Sequence, residues 1–318
     1  MKRDSLLKGR FSLLKDSKTN FIQVTIGVCV RNCAGLIREA IESIMAQDFP
    51  HEFMEVIFVN DGSSDDTLSI IESYVPKMDM FVKVFHQEWR GLGAARNVVV
   101  DNAKGKYIIW VDGDMRLSKN FVKKQVDYME KNPSVGIGKG MYGMCAQPSL
   151  VGTLENMEFA ATNFTRKEKP HLLPLGTGGS IYRVEAIRQV SGFDPRIRGS
   201  GEDMDAEYRV RKAGWTLGVS EAVFYEKRRK TWGSLWKEYF WHGRSVFYFL
   251  RKDRRIFYPS KFWPPIVLAT EFFRVAEAYR LTHSKVALLL PMHYIFKRTA
   301  WFYGFLKGLI DHTKYFKG

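Results

Sequence analysis

Short apolar segments that alternate with amphipathic ones constrain the fold of this 318-residue chain more than any other feature of its sequence. The first half reads as strand 21–30, helix 34–47, strand 55–60, helix 63–75, strand 80–86, helix 91–103, strand 106–111 and helix 118–131. Strands this apolar, with helices between them, predict an α/β fold with a mostly parallel sheet covered on both faces. Ligands of such sheets gather at the carboxyl ends of the strands, so the residues there are the first candidates for a site.

Cysteine usage and charge narrow the class of protein. Three cysteines, Cys29, Cys33 and Cys145, show no paired spacing, which favours a reducing compartment over a disulfide framework. The basic start, residues 1–20, lacks the apolar core of a signal peptide, and no run of 18 apolar residues predicts a simple membrane span. Of the formal charge of +15, about +12 lies between Glu221 and Gly318, which predicts an anionic partner such as a membrane surface or a nucleic acid.

The composition changes along the chain. Residues 135–220 mix Gly-rich strand-like pieces with a helical segment, and after about 228 the sequence becomes aromatic, basic and helical. We therefore expect a basic N-terminal segment at 1–20, an α/β domain at 21–228 and a helical, amphipathic extension at 229–318.

The segment YIIWVDGDMRL (107–117) ends an apolar strand on two carboxylates, Asp112 and Asp114, with Gly113 between them. An Asp-Gly turn is one interpretation, although a hairpin fits poorly because the next segment looks helical. Two hard oxygen ligands on a glycine pivot also suit Mg2+ or Mn2+ bound jointly by the protein and a diphosphate. We favour the metal interpretation because it explains why close negative charges are tolerated.

Other acidic and glycine-rich motifs lie at predicted strand ends or helix starts. In NDGSSDDT (60–67), a capping box of Ser63 and Asp66 accounts for the helix start but leaves Asp61 unexplained. In SGEDMD (200–205), ordinary helix capping explains the acids, yet a carboxylate there could also serve as a general base. WRGLGAARN (89–97) resembles a phosphate-binding loop at a helix start, but it matches neither a P-loop nor a dinucleotide fingerprint.

Five segments that follow one another along the chain resemble the successive motifs of the family 2 glycosyltransferases. They are VTIGVCVRN, VNDGSSDDT, GLGAARN with AKGKYIIWVDGD, GTGGSIYRVEAIRQVSGFDP and GEDMDAEYRVRKAGW, and together they cover about residues 22–220. The resemblance implies the GT-A fold, a Rossmann-like sheet flanked by helices, for a catalytic domain at 21–228. That domain would have a nucleotide-binding half at 21–115 and an acceptor-binding half at 116–228. It also implies an inverting, metal-dependent hexosyltransferase that uses a nucleoside diphosphate sugar and Mn2+ or Mg2+.

The resemblance also assigns roles to matching residues. Asp203 would be the catalytic base that deprotonates an acceptor hydroxyl, and Asp61 would contact the nucleotide base. Asp114 would bind the metal, with Glu226 as a possible further ligand. The donor-binding set would be Cys29, Val30, Arg31, Asn32, Asp61, Arg96, Asp112, Gly113 and Asp114. The acceptor-binding set would be Gly178, Gly179, Glu202 and Trp232, with the loop Gly176–Ser180 bordering the acceptor.

The chain departs from many relatives in three places. Arg31 stands near the point where relatives have a base-stacking tyrosine, so the donor nucleotide stays open. Glu226 falls near the place of a metal-binding histidine. No Gln-x-x-Arg-Trp segment, the mark of processive polysaccharide synthases, is present, which favours transfer of a single sugar.

The tail carries the information about partners. A polar stripe formed by Glu271, Arg274 and Glu277 runs along 262–281, and a second one runs through His293, Lys297, Ala300, Gly304, Lys307, Asp311 and Lys314. Aromatic faces beside such stripes predict helices lying in a membrane interface, although packing on the domain or on a second subunit stays an alternative. A span through 286–310 ranks lower, because it would bury Lys297 and Arg298 at about 3 kcal/mol each.

We therefore expect a peripheral enzyme on the cytoplasmic face of a membrane, with a lipid-linked or glycolipid acceptor and an anionic membrane surface as partners. Its oligomeric state is open. The alternatives are a nucleotidyltransferase, for which VRNCAGLIREA is a poor phosphate loop, and a basic nucleic-acid-binding or membrane-binding protein without catalysis. A nucleic-acid partner is not expected, because the basic residues lie among aromatic and aliphatic faces.

Overall fold

The computed structural model describes residues 8–11, 21–168, 170, 174–197, 200–252 and 264–315. Two compact units make up the chain. Unit 1 comprises Met1–Met141, Arg166–Arg198 and Glu202–Glu226, and unit 2 comprises Tyr142–Thr165, Gly199–Gly201 and Lys227–Gly318. Apart from residues 8–11, the basic segment at 1–20 lies outside the described residues.

The first half of unit 1 alternates strands and helices as the sequence predicts. The elements are β1 (Lys8–Phe11), β2 (Val24–Val30), α1 (Ile37–Met45), β3 (Met54–Asp61), α2 (Thr67–Tyr74), β4 (Phe81–Gln87), α3 (Leu92–Asn102) and β5 (Tyr107–Trp110). Helix α2 begins four residues later than predicted, and the capping box expected at Ser63 is wrong. The Ser63 hydroxyl instead accepts a hydrogen bond from the Asn32 amide at 3.0 Å and donates one to Asn60.

The remaining elements bring further strands into the sheet and lead into the helices of unit 2. They are β6 (Met115–Leu117), α4 (Phe121–Lys131), β7 (Val135–Tyr142), α5 (Leu150–Glu168), β8 (Ser180–Arg183), α6 (Val184–Gln189), α7 (Glu202–Lys212), β9 (Thr216–Glu226), α8 (Trp232–Lys252), α9 (Pro264–Thr282) and α10 (Leu290–Tyr315). Short 3-10 turns occupy His51–Phe53, Val75–Lys77 and Lys285–Leu289.

One nine-stranded sheet, in the order β1-β4-β3-β2-β5-β8-β7-β9-β6, forms the framework of unit 1. Its four consecutive strands β4, β3, β2 and β5 run parallel, with Val24 opposite both Met54 and Tyr107. Antiparallel pairs are added by β1 at one edge and by β8, β7 and β9 beyond β5. The predicted α/β fold is confirmed, and the parallel strands bring their carboxyl ends to one edge.

Aromatic packing fixes the centre of this sheet. Trp110 is buried, with Tyr182 and Phe193 edge-on to it at ring-centroid distances of 6.1 and 5.5 Å. Gly27 on β2 makes room for this ring, because a Cβ there would come within 2.8 Å of the indole. Close-packed interiors transmit such constraints, so the end of β5 is held in place.

Unit 2 is helical and has its own small core. Its buried apolar residues are Leu154, Met157, Ala161, Ala278, Ala287 and Leu290. Helices α8 and α10 approach closely, since a Cβ at Gly243 or Gly304 would collide with a backbone carbonyl of the other helix. Within the described ranges, no helix combines the length and apolarity needed to cross a membrane.

The first half of the polar stripe that the sequence predicts on α10 does not face water, whereas Lys307, further along, is exposed. His293, Lys297 and Ala300 are buried, and the Lys297 ammonium contacts Glu155 at 2.7 Å and Glu158 at 2.6 Å. This half of the stripe packs inside the unit, where two glutamates of α5 supply counter-charges to Lys297.

Candidate functional site

Asp61 ends β3 and is almost fully buried. Its Oδ1 accepts hydrogen bonds from Gln87 Nε2 at 2.7 Å and from the Arg90 amide at 2.9 Å, and its Oδ2 accepts one from the Gly91 amide at 3.0 Å. The carboxylate therefore ties the loop that starts α3 to the end of the sheet. Its predicted contact with a nucleotide base stays a prediction, for which Oδ2 keeps the larger accepting capacity.

The predicted donor wall has a buried and an exposed part. Cys29 and Val30 are buried in β2, and burial raises the pKa of the Cys29 thiol to about 12, so it stays protonated at neutral pH. Arg31 and Asn32 lie beyond the strand and are exposed. Asn32 adopts a left-handed conformation with φ of 50°, and its side chain accepts a hydrogen bond from the Ser64 amide at 2.8 Å.

An exposed aromatic ring, missed in the sequence, lies beside this wall. Trp89 follows β4, is 52% exposed, and has the Arg31 guanidinium 5.1 Å from its ring centroid. Gly62, with φ of 71°, packs against it so closely that a Cβ would lie 2.6 Å from the Trp89 amide nitrogen. A tryptophan placed directly after a strand and before a glycine-rich helix start was the signal that could have identified it.

The Asp-Gly-Asp turn joins β5 to β6. The next segment is a short strand that pairs with β9, not the helix that the sequence favours, and β5 and β6 are not neighbours, so no hairpin forms. Gly113 is buried against Val30, where a Cβ would approach to 3.1 Å. Its lack of a side chain thus brings the turn against the donor wall. The carboxylates of Asp112 and Asp114 are half-buried, with 43% of the Asp112 side chain exposed.

Arg96 and Glu202 form a buried ion pair close to Asp112. Both are buried and in direct contact, and Arg96 Nη2 lies 3.9 Å from Asp112 Oδ1. Burial raises the pKa of Glu202 to about 7, while the positive charge of Arg96 acts against it. Glu202 Oε2 has no hydrogen-bond partner among the described residues. The predicted direct contacts of Arg96 with a donor and of Glu202 with an acceptor stay predictions.

The glycine loop that precedes β8 lies between two of the predicted acids. A Cβ on Gly178 would collide with the Asp112 carboxylate, and a Cβ on Gly176 would lie 3.5 Å from Asp203 Oδ2. Gly179 has φ of 70° and packs against the ring of Phe224. The loop therefore approaches both the acid after β5 and the predicted base within three consecutive residues.

Asp203 lies in the first turn of α7 and is half-buried. Its Oδ1 accepts a hydrogen bond from the Met204 amide at 2.8 Å. One turn further, the buried Glu207 accepts a hydrogen bond from the Leu175 amide at 2.8 Å and so fixes the base of the glycine loop to α7. Burial raises the pKa of Glu207 to about 7. Asp203 and the loop are thus held by one helix.

A buried lysine lies among these acids and was also missed. Lys139 on β7 is 1% exposed, and its ammonium contacts the Gly178 carbonyl. Burial, followed by repulsion from Arg166, lowers its pKa to about 7, whereas Glu226, Asp112 and Asp203 act to raise it. Its signal was a charged residue in the otherwise apolar strand VGIGKGMY.

The carboxylate oxygens at this edge of the sheet suit a divalent cation as ligands. Met115 lies opposite Glu226 in the β6–β9 register, so the backbone of Glu226 is one residue away from the level of Asp114. Asp112, Asp114 and Glu226 all offer carboxylate oxygens, the ligands that Mg2+ and Mn2+ prefer. The residues therefore fit the predicted metal, and the assignment of Asp114 and Glu226 as ligands stays a prediction.

A different acidic cluster lies in unit 2. Ligand atoms of Glu155, Glu158 and His293 are all within 4.8 Å of one another, a spacing that a metal ion could use. The ammonium of Lys297 already contacts both carboxylates at 2.6–2.7 Å, so the cluster has its own internal cation. The predicted acceptor residue Trp232 also belongs to this unit, where its ring packs 4.8 Å from that of Phe296.

Comparisons with known proteins agree with this geometry. The chain is 38% identical over 208 residues to an uncharacterized glycosyltransferase of Rickettsia bellii. The aligned residues cover 62% of this chain and 29% of that protein. It is 33% identical over 103 residues to the poly(ribitol-phosphate) beta-N-acetylglucosaminyltransferase TarS of Staphylococcus aureus, covering 32% of the chain and 18% of TarS. The chain thus spans less than a third of the length of these two relatives.

Solved structures match over a larger share of the chain. The mannosyltransferase PcManGT of Pyrobaculum calidifontis, in complex with GDP-Man and Mn2+, superposes with a TM-score of 0.58 at 18% identity, covering 91% of this chain and 87% of that one. Residues 1–349 of S. aureus TarS in complex with UDP give a TM-score of 0.51 at 18% identity, covering 92% and 91%. These likenesses support the fold.

The family assignment rests on a sequence match that covers more than half of the chain. The model of the family described as "Glycosyl transferase family 2" matches residues 25–191, which include the donor wall, the Asp-Gly-Asp turn and the glycine loop. The match favours the transferase interpretation over the nucleotidyltransferase and nucleic-acid-binding alternatives. The chain belongs to glycosyl transferase family 2.

Proposed function

We propose that the chain transfers a single sugar from a nucleoside diphosphate sugar to an acceptor hydroxyl, with inversion at the anomeric carbon. The observation that carries this proposal is the position of the glycine loop. Gly178 abuts the Asp112 carboxylate, and Gly176 lies close to Asp203 Oδ2. One short loop thus brings an acid of the diphosphate side and the proposed base close to the same sugar, as a direct displacement by an acceptor hydroxyl needs.

The chain's own residues have separate roles in this reaction. Asp203 Oδ2 takes the proton of the acceptor hydroxyl as that oxygen attacks the anomeric carbon, and the carbon–oxygen bond to the diphosphate breaks on the opposite face. Lys139 and the backbone of Gly178 hold the loop in place. A divalent cation bound by Asp114, Asp112 and Glu226 would neutralise the leaving diphosphate.

We assign the nucleotide base to the surface formed by Trp89 and Arg31. An exposed indole and a guanidinium in contact offer a stacking plane for any base, and Asp61 lies at the end of the adjacent strand. The neighbour structures hold GDP-Man in one case and UDP in another, so both nucleotides are tested. Stacking on an aromatic ring is worth about 1–3 kcal/mol per base, so Trp89→Ala should weaken nucleotide binding about tenfold.

The first experiment is a thermal-shift panel of UDP-, GDP- and dTDP-sugars, each with and without Mn2+. A ligand that binds the native state raises the melting temperature. We expect a metal-dependent shift with one nucleotide for the wild type and its loss in Asp114→Ala. Asp101→Ala, which removes an exposed carboxylate from α3, is the matched control and should keep the shift.

A second readout follows the base. Asp203→Asn should keep the donor-induced shift and lose sugar transfer, because the amide cannot take a proton. Anomeric analysis of the product by NMR checks inversion. Retention of configuration, or full transfer by Asp203→Asn, would refute the assignment of the base, and a wild type that no nucleotide stabilises would refute the donor site.

A further inference from the structure

Helix α10 exposes an apolar stripe where a surface helix normally presents polar residues. Met292, Ile295, Phe302, Tyr303, Leu306 and Ile310 are all exposed. At 100° per residue they fall within an arc of about 100° on one side of the helix. Of the 19 large hydrophobic residues exposed in the described part of the chain, 12 lie between Phe272 and Ile310.

The stripe cannot rotate into the core of unit 2, because the opposite face of α10 is already packed. His293, Lys297 and Ala300 are fully buried there. A Cβ at Gly304 would collide with the Phe240 carbonyl of α8, so the helix must present a bare backbone to its neighbour. Small residues at such close helix contacts fix the orientation of the helix, and with it the outward direction of the stripe.

Basic residues flank the apolar stripe on both sides. Arg298 precedes the arc and is exposed. Lys307 follows it, with its side chain 51% exposed and its ammonium 2.7 Å from Asp311 of the same helix. Helix α9 adds two phenylalanines, Phe272 and Phe273, each 74% exposed, and the exposed Arg280. An apolar strip bordered by cations is the pattern of a helix that lies in the interface of an anionic bilayer.

We propose that unit 2 docks on an anionic lipid bilayer through this surface, defined as the α10 stripe with Phe272, Phe273 and the flanking Arg298 and Lys307. A second copy of the chain fits less well, because the last third carries about +12 of the formal charge and a symmetric interface would oppose like charges. Docking itself does not depend on the transferase activity. That the acceptor is carried by a lipid rests on the proposed function.

Vesicle flotation of the full chain tests the docking. Phosphatidylcholine vesicles with phosphatidylglycerol should carry the wild type, pure phosphatidylcholine should carry less, and added salt should weaken the binding. The double variant Ile295→Glu/Phe302→Glu should bind at least about tenfold more weakly, because two apolar anchors become anions. Phe21→Glu changes an exposed phenylalanine of unit 1 in the same way and should bind like the wild type.

Three results would overturn the proposal. The first is a wild type that does not float with anionic vesicles, and the second is a double variant that floats as well as the wild type. The third is a wild type that sediments as a dimer and binds no vesicles, together with a double variant that sediments as a monomer. The melting temperature of each variant checks folding. The nucleotide-induced thermal shift should be unchanged in the double variant, which separates a failure of docking from a failure of the donor site.

Discussion

Replacing Lys139 with methionine should separate the stability of unit 1 from its activity. The lysine is 1% exposed and its ammonium contacts the Gly178 carbonyl. Methionine has a similar length and volume and carries no charge, so the change removes the cation without opening a large cavity. The structure predicts that stability rises while sugar transfer falls.

The magnitude follows from the pKa of Lys139. Burial lowers it from 10.5 to about 7, a difference worth about 5 kcal/mol at about 1.4 kcal/mol per unit. This free energy is what the burial of a charged Lys139 subtracts from the stability of the folded protein. Because the folded pKa lies below the unfolded one, the destabilisation is fully present below pH 7 and disappears as the pH rises toward 10.5. Methionine also leaves the Gly178 carbonyl without its partner, at about 1–3 kcal/mol. We therefore expect a net gain of about 2 kcal/mol at pH 7, roughly 5 °C in melting temperature.

The loss of activity has an electrostatic cause. Lys139 is the positive charge that acts on Asp112, Asp203 and Glu226 together. Without it the edge of the sheet becomes more negative, which disfavours a diphosphate and loosens the glycine loop. Misplacement of reacting groups by about 1 Å can cost about 100-fold, so we expect a loss of tenfold to 100-fold in kcat/KM.

Lys83→Met is the contrasting control. Lys83 pairs with the buried Glu55 at 2.9 Å, away from the carboxyl-end loops. Its removal leaves a buried carboxylate without a cation, so stability should fall, by about 3 kcal/mol or more. Urea unfolding from pH 7 to 10 and a transfer assay with the donor that the thermal-shift panel selects measure both variants. A Lys139→Met protein with the wild-type pH slope, or with full activity, would refute the reasoning.

Two further substitutions test the loop. Gly178→Ala should reduce sugar transfer about tenfold or more, because its Cβ collides with the Asp112 carboxylate, whereas Gly35→Ala, which meets no atom within 4 Å, should leave the rate unchanged. Glu207→Gln should stabilise the protein by up to about 3 kcal/mol at pH 8 and by much less near pH 5. The raised pKa of Glu207, about 7, makes its ionised form costly above that pH, and the amide oxygen still accepts from Leu175. Urea unfolding at the two pH values would contradict this if the gains were equal.

Local pattern was enough to predict the parallel part of the sheet. The runs that become β2, β3, β4 and β5 are apolar because both faces of a central strand are buried, and their burial in the structure is nearly complete in three of the four. The antiparallel strands could not be placed in the same way. Only three residues form β6, and its pairing with β9 depends on a partner more than 100 residues away. Local propensity carries no information on such distant pairs.

Some residues of the candidate site could likewise be predicted from local pattern, whereas others depend on contacts between distant segments. Asp61 and Asp112 follow long apolar strands, so sequence alone could place them at one edge. The approach of Gly178 to Asp112 and of Gly176 to Asp203 depends on how β8 and α7 return to that edge. Lys139 was missed for a related reason. A lysine in a strand is normally solvated, and only the surrounding acids and the Gly178 carbonyl make its burial tolerable.

Helix α10 shows why periodicity predicts faces but not which face points inward. Its sequence separates a stripe through His293, Lys297 and Gly304 from an apolar one, and ordinary patterning assigns the polar stripe to water. That assignment fails at His293 and Lys297, because Glu155 and Glu158 of α5 form a buried ion-pair network with Lys297. Burial acts to lower the pKa of Lys297, but the two carboxylates outweigh it and raise that pKa, while burial raises the pKa of the nearby Tyr239. With that part of the polar stripe inside, the opposite, apolar face of α10 lies outside. The exposure of the α10 apolar stripe is therefore coupled to the two glutamates of α5 that make the burial of Lys297 tolerable.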